Sequence, residues 1–270
     1  MRDLDNAPTR TTIVLFGAGG SGKNFLRNTG VQPNVIVDND PTKQGTYFGE
    51  VKVQRPDDVD WRTASQVVIA SDGVVDIHRQ LLAFGVASSA IVIPPKRLWG
   101  PLVFHDESAR AFALDFVGSL MGTEGLRFPI SAVFGLALGL VRQFDVIPWD
   151  EDIDLYAFIP DRTRITEVLA GKSKLSIDDP KKVVCDVTVP TGRRFDLSIE
   201  FFDPASANLC CSAYGKQWTF STERFLHPST QSVQGKKFFV PREPERYLAT
   251  VYGPGWKIPR PEFTAMDYGD

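Results

Sequence analysis

The stretch IPWDEDIDLY (147–156) sets Asp150, Asp152 and Asp154 at alternate positions, interleaved with Glu151, Ile153 and Leu155. One chemistry for such spacing is a calcium loop. An EF-hand loop needs Gly at its sixth position and a bidentate Glu at its twelfth. Here those positions hold Leu155 and Asp161, so the sharp turn and the bidentate ligand are both missing. A β-strand explains more. Side chains two apart on a strand share a face, about 6–7 Å from each other. Asp152 and Asp154 then point one way, and Ile153 and Leu155 point into the core. Two carboxylates that close repel, and burial would raise their pKa. A hard divalent cation, Mg²⁺ or Mn²⁺, removes the repulsion and completes its octahedron with water and substrate phosphate. RRFDLSIEFF (193–202) repeats the pattern, with Asp196, Ser198 and Glu200 on one face and Phe195, Leu197, Ile199 and Phe201 on the other. A metal site of Asp152, Asp154 and Asp196 for handling phosphate is one reading. Two strands showing a solvated polar face is the other.

A second candidate lies near the N-terminus. Gly17-Ala18-Gly19-Gly20-Ser21-Gly22-Lys23-Asn24 fits both G-x-G-x-x-G and a P-loop up to its last position. The P-loop needs a Ser or Thr hydroxyl there for Mg²⁺, and Asn24 supplies an amide instead. The dinucleotide pattern has the better context. The loop follows a strand and opens a helix, and Asp38 ends the next strand, placed to bind a ribose hydroxyl. Gly17, Gly19, Gly22 and Asp38 are therefore the cofactor-binding candidates. The glycines serve equally well for the tight turn and close helix–strand packing alone.

These groups need elements to hold them. TTIVLFG (11–17), NVIVDND (34–40), QVVIAS (66–71) and AIVIPP (90–95) read as strands, with helices after the glycine loop and over 72–85. Continuous apolar strands alternating with helices predict a parallel, Rossmann-like sheet covered on both faces. PPKRLWGP breaks both periods, which places a boundary near residue 100 and predicts domains 1–100 and 101–270. The second half reads as α+β with a small mixed sheet. Its helices are predicted at about 107–122, 131–143 and 162–171, its strands at 181–189 and 193–202. A last helix runs from after Pro244 to before Gly253.

Composition narrows the function classes. The net charge of −3 comes without any long basic run, so a nucleic-acid partner is not expected. Three cysteines, two of them adjacent, make no disulfide framework, and three histidines without a CxxC offer little for zinc. Buried, reduced thiols are the simpler reading. MRDLDNAPTRTT has no basic-then-apolar leader pattern, and no apolar run approaches the ~20 residues of a membrane span. The expected location is the cytoplasm, with peripheral association at the inner membrane face left open.

Outward from the aspartates, the sequence resembles the LicD/fukutin-related phosphotransferases. The likeness lies in FGLALGLVRQFDVIPWDEDIDLY (134–156), at Gly135, Gly139, Arg142, Ile147, Pro148, Trp149, Asp150, Asp152, Ile153 and Asp154. FDLSIEFF and the tail VPREPERYLATVYGPGW, with Pro241, Pro244, Leu248, Tyr252, Gly253 and Trp256, extend it over roughly 108–260. The N-terminal half resembles the Rossmann-like modules carried by many surface-sugar enzymes. The family resemblance implies a nucleotidyltransferase-like fold. It also implies transfer of a phosphorylated alcohol, phosphocholine or a polyol phosphate, from a CDP-linked donor to a glycan or glycolipid acceptor, as in capsule or lipopolysaccharide biosynthesis. On that reading Asp152, Asp154 and Asp196 hold Mg²⁺ or Mn²⁺, Gly135 lets backbone approach a phosphate, and Arg142 grips one. Asp150 orients the loop or shares with Asp196 the role of proton acceptor. The family usually has Thr or Ser where this chain has Leu136. Two rival classes are an NAD-dependent oxidoreductase built on Gly17, Gly19, Gly22 and Asp38, and a non-catalytic nucleotide- or sugar-binding module.

Overall fold

The computed structural model describes residues 12–71, 73–100, 102–213 and 216–267. The stretch read for a leader signal lies outside them up to residue 11. The chain forms two compact units. Among the described residues, those up to Trp99, with Thr264–Met266, make the first, and those of Gly100–Phe263, with Asp267, make the second.

The first unit runs β1 (Ile13–Phe16), α1 (Gly20–Thr29), β2 (Val35–Val37), β3 (Tyr47–Phe48), β4 (Val51–Gln54), β5 (Gln66–Ile69), α2 (Val74–Ala83) and β6 (Ile91–Val92). Its sheet has the order β3-β4-β2-β1-β5-β6, parallel except for the β3–β4 pair. The strands are apolar runs because both faces are covered. Leu15, Ile36, Val53 and Val68 pack with Phe25 of α1 and with Trp99. Phe16 stacks on Trp61, which stacks on Phe84. This is the expected Rossmann-like sheet. The chain order reverses between β1 and β5, the place where open sheets of this kind form a crevice at their carboxyl ends.

The second unit opens with α3 (Glu107–Met121), β7 (Ser131–Ala132), α4 (Phe134–Arg142), β8 (Asp152–Phe158) and α5 (Arg162–Ala170). It continues with β9 (Lys174–Asp179), β10 (Lys182–Thr188), β11 (Arg194–Phe202), β12 (Asn208–Ala213) and β13 (Lys216–Ser221). It closes with α6 (Glu223–Leu226), β14 (Ser229–Val233), β15 (Lys236–Val240) and α7 (Pro244–Tyr252). Its mixed sheet has the order β7-β8-β11-β10-β9; β12–β13 and β14–β15 are separate antiparallel hairpins. One correction concerns the helix expected over 131–143. It starts only at Phe134, because Ser131 and Ala132 pair with Tyr156 and Leu155 as an edge strand. A second concerns the thiols: Cys185 and Cys211 are buried, but Cys210 is exposed. Odd residues of β8 and β11 face the core, with Ile153, Leu155, Leu197 and Ile199 at most 1% exposed.

Candidate functional site

The even residues of β8 and β11 carry the acids. The two strands run parallel, and their register sets Asp152 beside Asp196, Asp154 beside Ser198 and Tyr156 beside Glu200. Neighbouring strands lie about 4.8 Å apart, so Asp152 and Asp196 extend from adjacent backbone positions on one face. β10 continues the row, with Asp186 beside Asp196. Sequence reasoning passed over Asp186, although it alternates with the buried Cys185 and Val187 within a recognised strand. The face grades along the strands. Asp196 is exposed and Asp152, Asp154 and Asp186 are half-buried, whereas Ser198 and Tyr156 are buried. At the buried end, burial pushes the Glu200 carboxyl up, partly offset by Lys182 at 3.9 Å. Burial likewise pushes the Tyr156 phenol upward, far from ionisation.

Among the described residues, no three His, Cys, Asp or Glu side chains stand already gathered as a metal cage. The donor chemistry nevertheless suits a hard cation. Asp152, Asp154 and Asp196 offer only carboxylate oxygens from one face of two paired strands, and Mg²⁺ is commonly held by one or two carboxylates with the rest of its shell supplied by water and substrate.

The turn into α4 lies beside this face. Val133 N–H donates to the Asp154 carbonyl at 3.1 Å, tying the turn to β8. Phe134 then takes φ 46°, a left-handed conformation that is uncommon for a bulky side chain. Its N–H donates to Tyr247 Oη of α7 at 3.2 Å. At Gly135 a Cβ would lie 1.9 Å from Asp150 Oδ2, so the missing side chain makes room for the Asp150 carboxylate. The other oxygen, Oδ1, accepts Glu151 N–H at 3.1 Å. Leu136, where the family has a hydroxyl, is 1% exposed and belongs to the core. Trp149 is half-buried and packs against that core.

Arg142 ends α4. Its guanidinium donates to the Trp256 carbonyl at 3.4 Å and to Gln143 Oε1 at 3.3 Å, while the buried Nε has no hydrogen-bond partner. Burial lowers its pKa, and Tyr252 and Asp150 act against that. The loop that follows is pinned from outside. Asp145 accepts Arg110 Nε at 2.8 Å, and Arg110 also donates to the Phe104 carbonyl. His227 is exposed and sits 3.4 Å from Glu223.

The first unit's loop is arranged differently. Gly17 has φ 121°, and a Cβ there would lie 2.3 Å from the Ala70 carbonyl oxygen; one on Gly22 would lie 2.0 Å from that of Gly17. Asp38 is buried, and its carboxylate is turned inward. Oδ2 accepts Ala18 N–H at 2.7 Å and Lys43 Nζ at 3.2 Å, while Oδ1 accepts Asp40 N–H at 2.9 Å. Lys43 Nζ reaches to within 3.6 Å of where a Gly19 Cβ would stand, near the start of α1. The acid that sequence reasoning offered to a ribose thus holds the glycine loop.

Residues 131–243 match the family model described as LicD/FKTN/FKRP, nucleotidyltransferase domain, and this stretch is a LicD-type domain. The chain is similar to several solved structures. It is 12% identical to the lincosamide antibiotic adenylyltransferase LnuA, lincomycin-bound, covering 51% of this chain and 80% of that one with a TM-score of 0.33. It is 18% identical to UDP-D-quinovosamine 4-dehydrogenase from Vibrio fischeri, covering 32% and 78% with a TM-score of 0.26. It is 11% identical to UDP-N-acetylglucosamine 3-dehydrogenase GnnA from Acidithiobacillus ferrooxidans, covering 86% and 82% with a TM-score of 0.26. No curated protein matches the chain.

Proposed function

We propose that this LicD-type transferase moves a phosphorylated alcohol, phosphocholine-like or a polyol phosphate, from a CDP-linked donor to a hydroxyl of a cell-surface glycan or glycolipid. The observation that carries the reading is the register of β8 on β11, which sets Asp152 beside Asp196 next to the glycine turn tied to Asp154. Asp152, Asp154 and Asp196 would hold Mg²⁺ or Mn²⁺. Bound there, the cation supplies charge neutralisation for phosphate oxygens as the bond to the leaving CMP breaks.

The chain's own groups do the rest. The acceptor oxygen attacks the phosphorus of the phosphorylated alcohol, and the bridging P–O bond to CMP breaks. The acceptor's proton passes to a carboxylate, Asp150 or Asp196. Gly135 and the first turn of α4 present backbone N–H groups, and a helix N-terminus favours anions. Arg142 lies within electrostatic reach of Asp150 and carries a buried Nε able to donate to a phosphate. With a glycolipid acceptor the work is done at the cytoplasmic membrane face. No helix among the described residues is long and apolar enough to cross a membrane. The proposal gives the Gly17–Gly22 loop no chemical step.

The test is a panel of CDP-linked alcohols with Mg²⁺ or Mn²⁺, followed by detection of CMP. Asp152→Ala and Asp154→Ala are each expected to lower CMP release by about 10³-fold or more while the circular dichroism spectrum is kept. Turnover like that of the wild type in either variant would remove the catalytic assignment.

A further inference from the structure

The tail of the chain reaches the glycine turn through a hydrogen bond from Phe134 to Tyr247. Tyr247 is fully buried in α7, and its ring packs 5.0 Å from Phe220 and 6.3 Å from Phe225, centroid to centroid. Its hydroxyl accepts the N–H of Phe134, 113 residues earlier in the chain. Phe134 stands immediately before Gly135 and at φ 46°. Backbone in that region costs roughly 1–3 kcal/mol for an ordinary residue and persists only where its surroundings over-determine it. Four contacts do so here. Val133 is bonded to the Asp154 carbonyl on one side. The Phe134 ring is held edge-on by Tyr156 at 6.0 Å and packs against Trp218 at 6.0 Å. The amide of Phe134 is held by Tyr247. The first N–H groups of a helix have no partner within it, so an acceptor brought from elsewhere decides how they are satisfied.

We propose that Tyr247 is a positioning residue: its hydroxyl fixes the strained Phe134 amide and so sets the angle at which Gly135 and the first turn of α4 face the Asp152–Asp154 carboxylates. The role rests on the phosphotransfer reading for its kinetic consequence, but its geometric content is independent of that reading. Removing the hydroxyl leaves a part-buried N–H without this acceptor and relaxes the turn, while the ring still fills its place between Phe220 and Phe225.

Tyr247→Phe is the variant to test. Amide hydrogen exchange is expected to rise about tenfold at Phe134–Leu136. Exchange along β8 and β11 should stay within twofold of wild type. With an active CDP-linked donor, kcat is expected to fall roughly tenfold, with the midpoint for Mn²⁺ activation unchanged. Unchanged exchange at Phe134, or a uniform rise across the whole unit, overturns the proposal. Should the variant not fold, the wild type still decides: the Phe134 amide must be protected as strongly as the β8 core, and fast exchange there overturns the idea. If no CDP-linked donor is turned over by the wild type, the phosphotransfer reading fails, and the exchange result alone judges the contact.

Discussion

Two strand–turn–helix crossings in this chain bring a carboxylate against their glycines, and they hold it in opposite ways. After β1, Asp38 is spent internally, its two oxygens accepting Ala18 N–H, Asp40 N–H and the Lys43 ammonium. The glycines beside it meet backbone carbonyls, Ala70 O at Gly17 and Gly17 O at Gly22. After β7, the neighbour of Gly135 is the end of a side chain, Asp150 Oδ2. A backbone carbonyl at the end of a strand is fixed by the main chain, but a carboxylate can rotate. The first turn is therefore a piece of architecture closed by its own chain. The second has an anionic side chain lying against the start of α4.

Alanine at the two positions separates these roles. Gly17→Ala puts a Cβ on a left-handed backbone and against the Ala70 carbonyl just past β5, and is expected to cost about 3 kcal/mol or more in denaturant unfolding. Gly135→Ala meets the Asp150 carboxylate first, so it should cost about 1–2 kcal/mol in stability and lower CMP release roughly tenfold or more. Adding Asp150→Gly to Gly135→Ala should restore most of that stability, as double-mutant analysis would show. Equal stability losses at Gly17 and Gly135, with no rescue, would erase the distinction.

A smaller effect sharpens the contrast further. Asp38 is satisfied where it lies; Glu200, at the buried end of the second unit's polar face, is held above its ordinary carboxyl range by burial. A raised folded-state pKa contributes stability that is complete below the unfolded value and is lost as pH rises through the folded one. Glu200→Gln should therefore raise the melting temperature by ~2 °C at about pH 7 and give no gain at about pH 4. A variant equally stabilised at both pH values would contradict the burial cause.

The alternation in DIDLY and RRFDLSIEFF made the two acidic strands legible, because a period of two assigns faces without any knowledge of the fold. The six longer helices were legible from their helical spacing and stop signals, and the parallel strands of the first unit from their continuous apolar runs. What escaped had weak local signals. β9 is an edge strand whose residues are mostly exposed and whose apolar face is only Leu175 and Ile177, too short a run to read. The β14–β15 hairpin turns at Gln234 and Gly235, both at positive φ, where the usual signal would be Asn-Gly or Asp-Gly. Tyr247 could not be found at all. Its partner is an amide far away in the chain, and a tyrosine at helical spacing reads as packing.

The parallel pairing of β8 with β11 carries one last consequence. Parallel neighbours cannot be joined by a tight turn, so α5, β9 and β10 must all be laid down between them. The decapeptide around Asp152 is consequently only half of an instrument. Cut out, or grafted onto another scaffold without the whole crossover, it brings no Asp196 with it, and the same ten letters found elsewhere identify nothing unless a later strand returns alongside.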